Sequence, residues 1–341
     1  MLWKRNRKFR FILAVLVVSL LAASCTAERR PEGQQPEETQ QGTGQPEKQV
    51  EKPQLPEPIR TQSNKEPSLK VYIVQDKQAR EMPFEEYVAG VVAGEIKNDW
   101  PEECIKAQAV IARTFVLQFI DEKGQSKYEN AHVSTDVEEA QAWNAEAVND
   151  RIRKAVKDTR GQVIVYNGEF AHTWFHSNAG GKTATPKEGL DYKDKEPPYI
   201  QVVDSPDMGK TVEADAKNWS AKFPKDKVIA AMNEAGKPVR DFSSISIGQK
   251  GPSGRAVTIK LDDTEVSAAE LRLALGSTEM RSTLLDQIAL EGGNVVMSGR
   301  GYGHGVGMSQ WGARTMAEEG KSAEDIINYY FKDIDIVKMW N

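Results

Sequence analysis

Residues 26–67 form a tract that no packed core can use. It is dominated by Gln, Glu and Pro, as in Pro31-Glu32-Gly33-Gln34-Gln35-Pro36-Glu37-Glu38, and it holds no aromatic residue. Such a composition buries too little apolar area to offset its ordering entropy, and its prolines favour stiff, extended chain. The tract is expected to be a disordered spacer. Folding is thereby confined to residues 68–341.

The segment before the spacer reads as an export signal. Lys4, Arg5, Arg7, Lys8 and Arg10 make a basic flank, and the apolar run 11–21 follows. That run is short for a membrane span of about 20 residues but suits a signal-peptide core. It ends Leu21-Ala22-Ala23-Ser24-Cys25, which resembles a bacterial lipobox with Cys25 as the lipidated residue, although Ala22 stands where leucine is usual. An uncleaved signal anchor and clean secretion are the alternatives. All three put the rest of the chain outside the cytoplasm, the first two tethered to the membrane through the N-terminus, with the basic flank inside.

The 341 residues carry a formal net charge of −5, which argues against a general nucleic-acid binder. Two cysteines exclude a disulfide-stapled scaffold and a Cys-rich zinc site. From residue 69 the pattern turns globular. Residues 69–74 alternate like a strand, 83–87 open a helix with proline and two acids, and 102–120 repeat apolar residues at helical spacing through Ile105, Ala109, Ala112, Val116 and Phe119. A further helix is expected over 145–157. Strands at 162–166 and 170–175 flank Asn167-Gly168, a strong hairpin signal. Later come a helix at 226–234, strands near 245 and 257–261, and start signals at Ser267 and Ser322. Helices and hairpins without regular βα alternation predict an α+β fold: a single globular domain, with room for an inserted subdomain.

On the first helix Tyr87, Val91 and Glu95 fall four apart, so a carboxylate continues an apolar stripe to the helix end. Burial and the negative end of the helix dipole both raise a carboxyl pKa, which keeps a glutamic acid protonated for general-acid work. A glutamate that merely reaches solvent at a fraying end fits the spacing as well. Gly90 and Gly94 permit another backbone to come close. On the next helix Lys106 and Arg113 share one face at the core margin, where they either meet carboxylates and sugar hydroxyls or form a solvated face.

Three stretches carry a resemblance: Glu86-Tyr87-Val88-Ala89-Gly90-Val91-Val92-Ala93-Gly94-Glu95, then Trp100-Pro101-Glu102-Glu103, then Lys106-Ala107-Gln108-Ala109-Val110-Ile111-Ala112-Arg113-Thr114-Phe115. They are similar to the signature of the stage II sporulation protein D and amidase enhancer family. Gly299-Arg300-Gly301-Tyr302-Gly303-His304-Gly305-Val306-Gly307-Met308-Ser309-Gln310-Trp311-Gly312-Ala313 resembles that family's C-terminal motif. The resemblance spans most of residues 69–341, while the stretch near 205–295 matches no motif.

What the resemblance implies is a peptidoglycan lytic transglycosylase acting on glycan strands or, for some relatives, a non-catalytic enhancer of a cell-wall amidase. It makes Glu95 the catalytic acid and puts Lys106 and Arg113 at the site. It also implies a role in endospore engulfment beside an amidase and a membrane scaffold protein. One acid is enough for this chemistry. Ordinary glycosidases need two carboxylates, but here the substrate's own C6 hydroxyl attacks, and no cofactor is expected.

Other constellations carry less. The run Ser177-Asn178-Ala179-Gly180-Gly181-Lys182-Thr183 is either a cleft wall that hydrogen-bonds glycan, through Ser177 and Lys182, or an ordinary turn. Tyr199, after two prolines, is a candidate stacking surface for a sugar, and His304 is a candidate substrate contact within the glycine-rich motif. Some relatives bind zinc through cysteines near His132, but the run Glu139-Ala140-Gln141-Ala142-Trp143 has alanine where such a cysteine is expected, and Cys104 reads as a core residue. His172 and His176, four apart, give weak support for a metal, and none is predicted. Glycines 299, 301, 303, 305 and 307 alternate with larger residues, as on a strand with one face cleared. Ser309 with His304 is a poor hydrolase pair, because Trp311 replaces the last glycine of a nucleophile elbow.

Overall fold

A computed structural model describes residues 50–62 and 64–341. Cys25 and the expected export segment lie outside the described residues, as does the expected spacer up to residue 49. The remainder of the expected spacer does not stand apart: Ile59 is buried, and Val50 and Leu55 pack on the same core. These are among the few aliphatic side chains of the tract, and burying them is what draws it in. The compact unit runs from Gln49 to Asn341, earlier than the boundary at 68 expected from composition.

Strand β1 (Ser68–Ile73) buries Leu69, Val71 and Ile73 and leaves Ser68 and Lys70 exposed, the period of two expected of a half-buried strand. It pairs antiparallel with β2 (Gln78–Pro83) and parallel with the short β3 (Val133–Ser134). The chain passes directly into α1 (Phe84–Glu95), with Pro83 as the cap residue. In α1, Phe84, Tyr87, Val88, Val91 and Val92 are wholly buried. Helix α2 (Glu102–Lys123) buries Ile105, Ala109, Ala112 and Val116 as their spacing predicts. It stops at Gly124, whose φ of 74° lets its N–H reach the Ile120 carbonyl at 2.8 Å.

The helix expected over 145–157 is two pieces. Asn144 caps a single 3-10 turn, Ala145–Ala147, and Asn149 caps α3 (Asp150–Asp158) through the Ile152 N–H. Asparagine side chains compete for helix N–H groups, which favours a new start over continuation. The hairpin turn forms as expected, with Asn167 and Gly168 both at positive φ between β4 (Gln162–Tyr166) and β5 (Glu169–Phe170), but the second strand is two residues long rather than the expected 170–175. The far side of β4 pairs with Asp335–Lys338, so the C-terminus closes this sheet.

The motif-free middle of the sequence builds its own core within the same unit. Trp219, Phe223, Val228, Met232, Ile259, Leu271 and Val295 pack together, separate from the core of α1 and α2. Two three-stranded antiparallel sheets and the helices Lys225–Glu234 and Ala268–Leu275 enclose them. The result is a mixed α+β architecture of small sheets, with this second core as an insertion.

The glycine-rich motif departs from the expected strand. The strand Asn294–Arg300 ends before Gly301, and Gly301, Gly303, Gly305 and Gly307 all have φ between 71° and 111°. The glycines are needed for left-handed backbone, which only they adopt at little energy, and the alternation came from a winding loop. That loop delivers the chain to the helix Gln310–Glu318.

Candidate active site

Glu95 is the last residue of α1 and is half-buried. The main-chain N–H of Ala142 donates to its Oε1 at 2.7 Å, and among the described residues no hydrogen bond is formed to Oε2. One oxygen is anchored and the other is left for a substrate. Burial pushes the carboxyl pKa up to about 7, against the opposing pull of the Ala142 N–H. A glutamic acid with these properties holds a proton near neutral pH and can release it into a leaving group.

Gly90 and Gly94 make this arrangement possible. A Cβ on Gly94 would lie 2.7 Å from the Ala142 carbonyl carbon, and one on Gly90 would collide with the Trp143 indole. The Asn144 N–H donates to the Gly90 carbonyl at 2.9 Å, fastening the loop to the helix. The sequence expectation of a close backbone approach is met, with residues 142–144 as the approaching segment. A second distant segment joins here. Gln310, the first residue of its helix, donates from Nε2 to the Glu95 carbonyl at 3.1 Å and to Gln108 Oε1 at 3.5 Å. The two motifs, 215 residues apart in the chain, meet at the end of α1.

The two cations of α2 are placed otherwise than expected. Arg113 is fully buried and donates to Glu85, from Nη2 to Oε2 at 2.6 Å and from Nε to Oε1 at 3.1 Å. Glu85 also accepts from the Gly161 N–H at 2.9 Å and Trp340 Nε1 at 2.8 Å, and Arg113 Nη1 reaches the Gln162 carbonyl at 3.0 Å. Arg113 therefore ties α1, α2, β4 and the C-terminus together and is closed to a sugar. The apolar stripe continues under it because Glu85 supplies its charge partner inside the core. Lys106 is held by Glu103 at 2.9 Å, Glu102 at 3.0 Å and Asp158 at 3.5 Å, and these acids raise its pKa. Its contacts join α2 to α3.

Tyr199 is also corrected: it is buried against Tyr166, and its hydroxyl accepts the His172 N–H at 2.8 Å, so it offers no face for stacking. Ser177 is half-buried, and its carbonyl accepts the Trp311 N–H at 3.0 Å. Lys182 is exposed, 3.7 Å from Asp204. His304 is half-buried, with Nδ1 accepting the Val306 N–H at 3.0 Å. Burial, with Arg272 nearby, pushes its pKa down to about 3, so it is neutral at pH 7. The His176 ring lies 5.6 Å from it in a T-shaped arrangement.

His172 stacks on Trp174 while His176 faces His304, so the two histidines serve different surroundings. Among the described residues no three metal-binding side chains gather. The Ser309 hydroxyl donates to Asp207 Oδ2 at 2.7 Å and caps its helix by accepting the Gly312 N–H at 3.2 Å, which commits it to the fold. Ala142, Trp143 and Gln310 were not anticipated as site residues. The paired glycines of α1 were the signal for the first two, and nothing in the spacing signalled Gln310.

Comparison with known proteins places these residues in context. A family model described as stage II sporulation protein matches residues 74–166, which include α1, Glu95 and the 142–144 loop. An uncharacterized protein of Brachyspira hyodysenteriae is 31% identical over 258 residues, covering 75% of this chain and 67% of its own. Stage II sporulation protein D of Bacillus subtilis is 28% identical over 288 residues, covering 79% of this chain and 78% of its own. The amidase enhancer of the same organism is 28% identical over 286 residues, 71% of this chain but 39% of its own.

Proposed function

We propose, from the premise that this chain belongs to the stage II sporulation protein D family, that it is a peptidoglycan lytic transglycosylase with Glu95 as its acid. The observation that carries the reading is the half-buried Glu95 carboxyl, anchored through one oxygen by Ala142, with no hydrogen bond to the other among the described residues. In the first step the acid gives its proton to the glycosidic oxygen between N-acetylmuramic acid and N-acetylglucosamine as the C1–O bond breaks. The C6 hydroxyl of the muramic acid then closes on C1, and the Glu95 carboxylate takes the hydroxyl proton. The product end is 1,6-anhydro-N-acetylmuramic acid, and the acid is regenerated. No water is consumed, so no second carboxylate is required.

The family and the N-terminal sequence support a proposed setting. The chain would act outside the cell membrane, tethered through Cys25 or an uncleaved anchor, during sporulation, alongside an amidase and a membrane scaffold. A second reading, a non-catalytic enhancer of an amidase, is favoured by the similarity to the amidase enhancer. Digestion of isolated glycan strands with the full chain and its Glu95→Gln variant separates them. Anhydro ends seen by mass spectrometry, and lost in the variant, support the lyase. Reducing ends would mean hydrolysis, and binding without cleavage would leave the enhancer.

A further inference from the structure

We infer that the groove between α1 and α3 is a subsite for an acidic sugar of the glycan strand, with Arg153 and Lys157 taking its carboxylate and Trp143 lying beside its ring. This rests on the reading of the chain as a glycan-strand enzyme and adds a place where the strand is held. The groove has a volume of about 410 Å³ and is lined by these three residues together with Glu86, Ala89 and Arg160, among others.

The charge pattern is the first observation. Helix α3 buries Ile152, Ala155 and Val156, which leaves Arg153 and Lys157, four apart, on one exposed flank. Like charges at that spacing destabilise a helix, and Arg160 extends the same stripe. Neighbouring cations are neutralised: Lys154 by Asp158 and Glu102, Lys106 by Glu102 and Glu103, Arg160 by Glu66. Among the described residues Arg153 and Lys157 have no ion-pair partner, although the exposed Glu86 lines the same groove. Glu85 also lines the groove but is committed to Arg113, so two unpaired cations beside Glu86 suit a ligand with one carboxylate and with hydroxyl or amide hydrogens to offer Glu86.

The second observation is Trp143. Its indole is laid on Gly90, and its buried Nε1 has no acceptor among the described residues. A ring placed at the expense of its own hydrogen bond is fixed by packing, and flat aromatic surfaces with polar neighbours suit sugar rings. Trp143 directly follows Ala142 in the chain, whose N–H anchors Glu95, so one loop both holds the carboxyl and supplies a wall of the groove. A strand seated across Glu95 therefore has this groove as a neighbouring place to lie.

The test uses the full chain with Glu95→Gln, which cannot cut, and the same chain with Arg153→Ala and Lys157→Ala added. Binding is measured to isolated peptide-free glycan strands and to strands whose carboxylates have been converted to amides. The added changes should weaken binding to native strands about tenfold, the scale of one charge-assisted contact, and flatten its salt dependence. On amidated strands they should make little difference. Equal affinity of the two proteins for native strands overturns the subsite, as does the same loss on amidated strands; matching circular dichroism melts guard against a folding defect. Absence of anhydro ends from the Glu95-intact chain would end the lyase reading while leaving a carboxylate-dependent subsite standing.

Discussion

The main-chain N–H of Ala142 lies 2.7 Å from Oε1 of Glu95, and this contact both steadies the carboxyl and limits how far burial raises its pKa. With that pKa at about 7, the acid form needed for proton donation is lost as pH rises through neutrality. Cleavage of glycan strands should therefore show a descending limb in kcat/KM near pH 7. Glu95→Gln should lower the rate by roughly 10²–10⁴ below pH 7, the usual scale of general-acid catalysis, and the deficit should shrink at higher pH as the parent loses its own acid form.

The same shift predicts a stability effect of opposite sense. The folded pKa lies above the unfolded value of 4.5, so the folded state binds the proton more tightly and loses stability as pH rises from about 4.5 to 7. Glu95→Gln keeps an acceptor for the Ala142 N–H and removes the buried charge. The variant should be more stable than the parent by roughly 1–3 kcal/mol at pH 8 and about equal to it at pH 4. Urea unfolding at the two pH values measures the difference.

Glycine in a helix interior is ordinarily improved by alanine, by about 1 kcal/mol. Gly94→Ala should do the reverse, because its Cβ would lie 2.7 Å from the Ala142 backbone. The expected net loss is roughly 1–3 kcal/mol. As the 142–144 loop is pushed away, Glu95 gains solvent and loses the Ala142 N–H; burial is the larger of the two influences, so the pKa falls and the descending limb of activity should move to lower pH. An unshifted limb in a folded variant would detach the glycine from the acid.

Local signals explain which parts of this were legible in the sequence. The stripe through Tyr87, Val91 and Glu95 is set by helical period alone, and the Asn167-Gly168 turn by backbone preference, so both could be read directly. The placement of Arg113 could not, because a cation at a stripe's edge faces outward or inward depending on a partner far along the chain. Glu85, Gly161 and Trp340 decide it here. Tyr199 misled for a related reason: prolines before an aromatic suggest an exposed turn, yet the His172 N–H gives its hydroxyl a buried partner. The alternating glycines look the same whether they clear a strand face or adopt positive φ.

Breaking the Glu85–Arg113 pair should be severe. Both side chains are buried, and removing one leaves the other charged without its partner, which typically costs about 3–5 kcal/mol. Glu85→Ala also strips an acceptor from the Gly161 N–H and Trp340 Nε1. Replacing both partners with apolar side chains, Glu85→Leu together with Arg113→Met, should recover part of the loss but leave those two donors unsatisfied. Denaturant midpoints for the single and double variants test the ordering.

The last prediction separates backbone strain from packing in the glycine-rich loop. Gly305 has φ of 85°, and a Cβ there would press on the guanidinium of Arg255. Arg255 is fully buried and donates to the Ala179 carbonyl at 2.6 Å and the Lys182 carbonyl at 2.8 Å, so it ties the inserted core to the segment that carries Ser177 and Lys182. Gly292 also has positive φ, 55°, but among the described residues nothing lies within 4 Å of its would-be Cβ. Alanine at 292 should cost only the left-handed backbone, about 1–2 kcal/mol. Gly305→Ala should cost more than that, because it displaces a buried charge from its acceptors as well. Equal melting losses for the two variants would mean that Arg255 can yield, and that its hold on the 179–182 segment is weak.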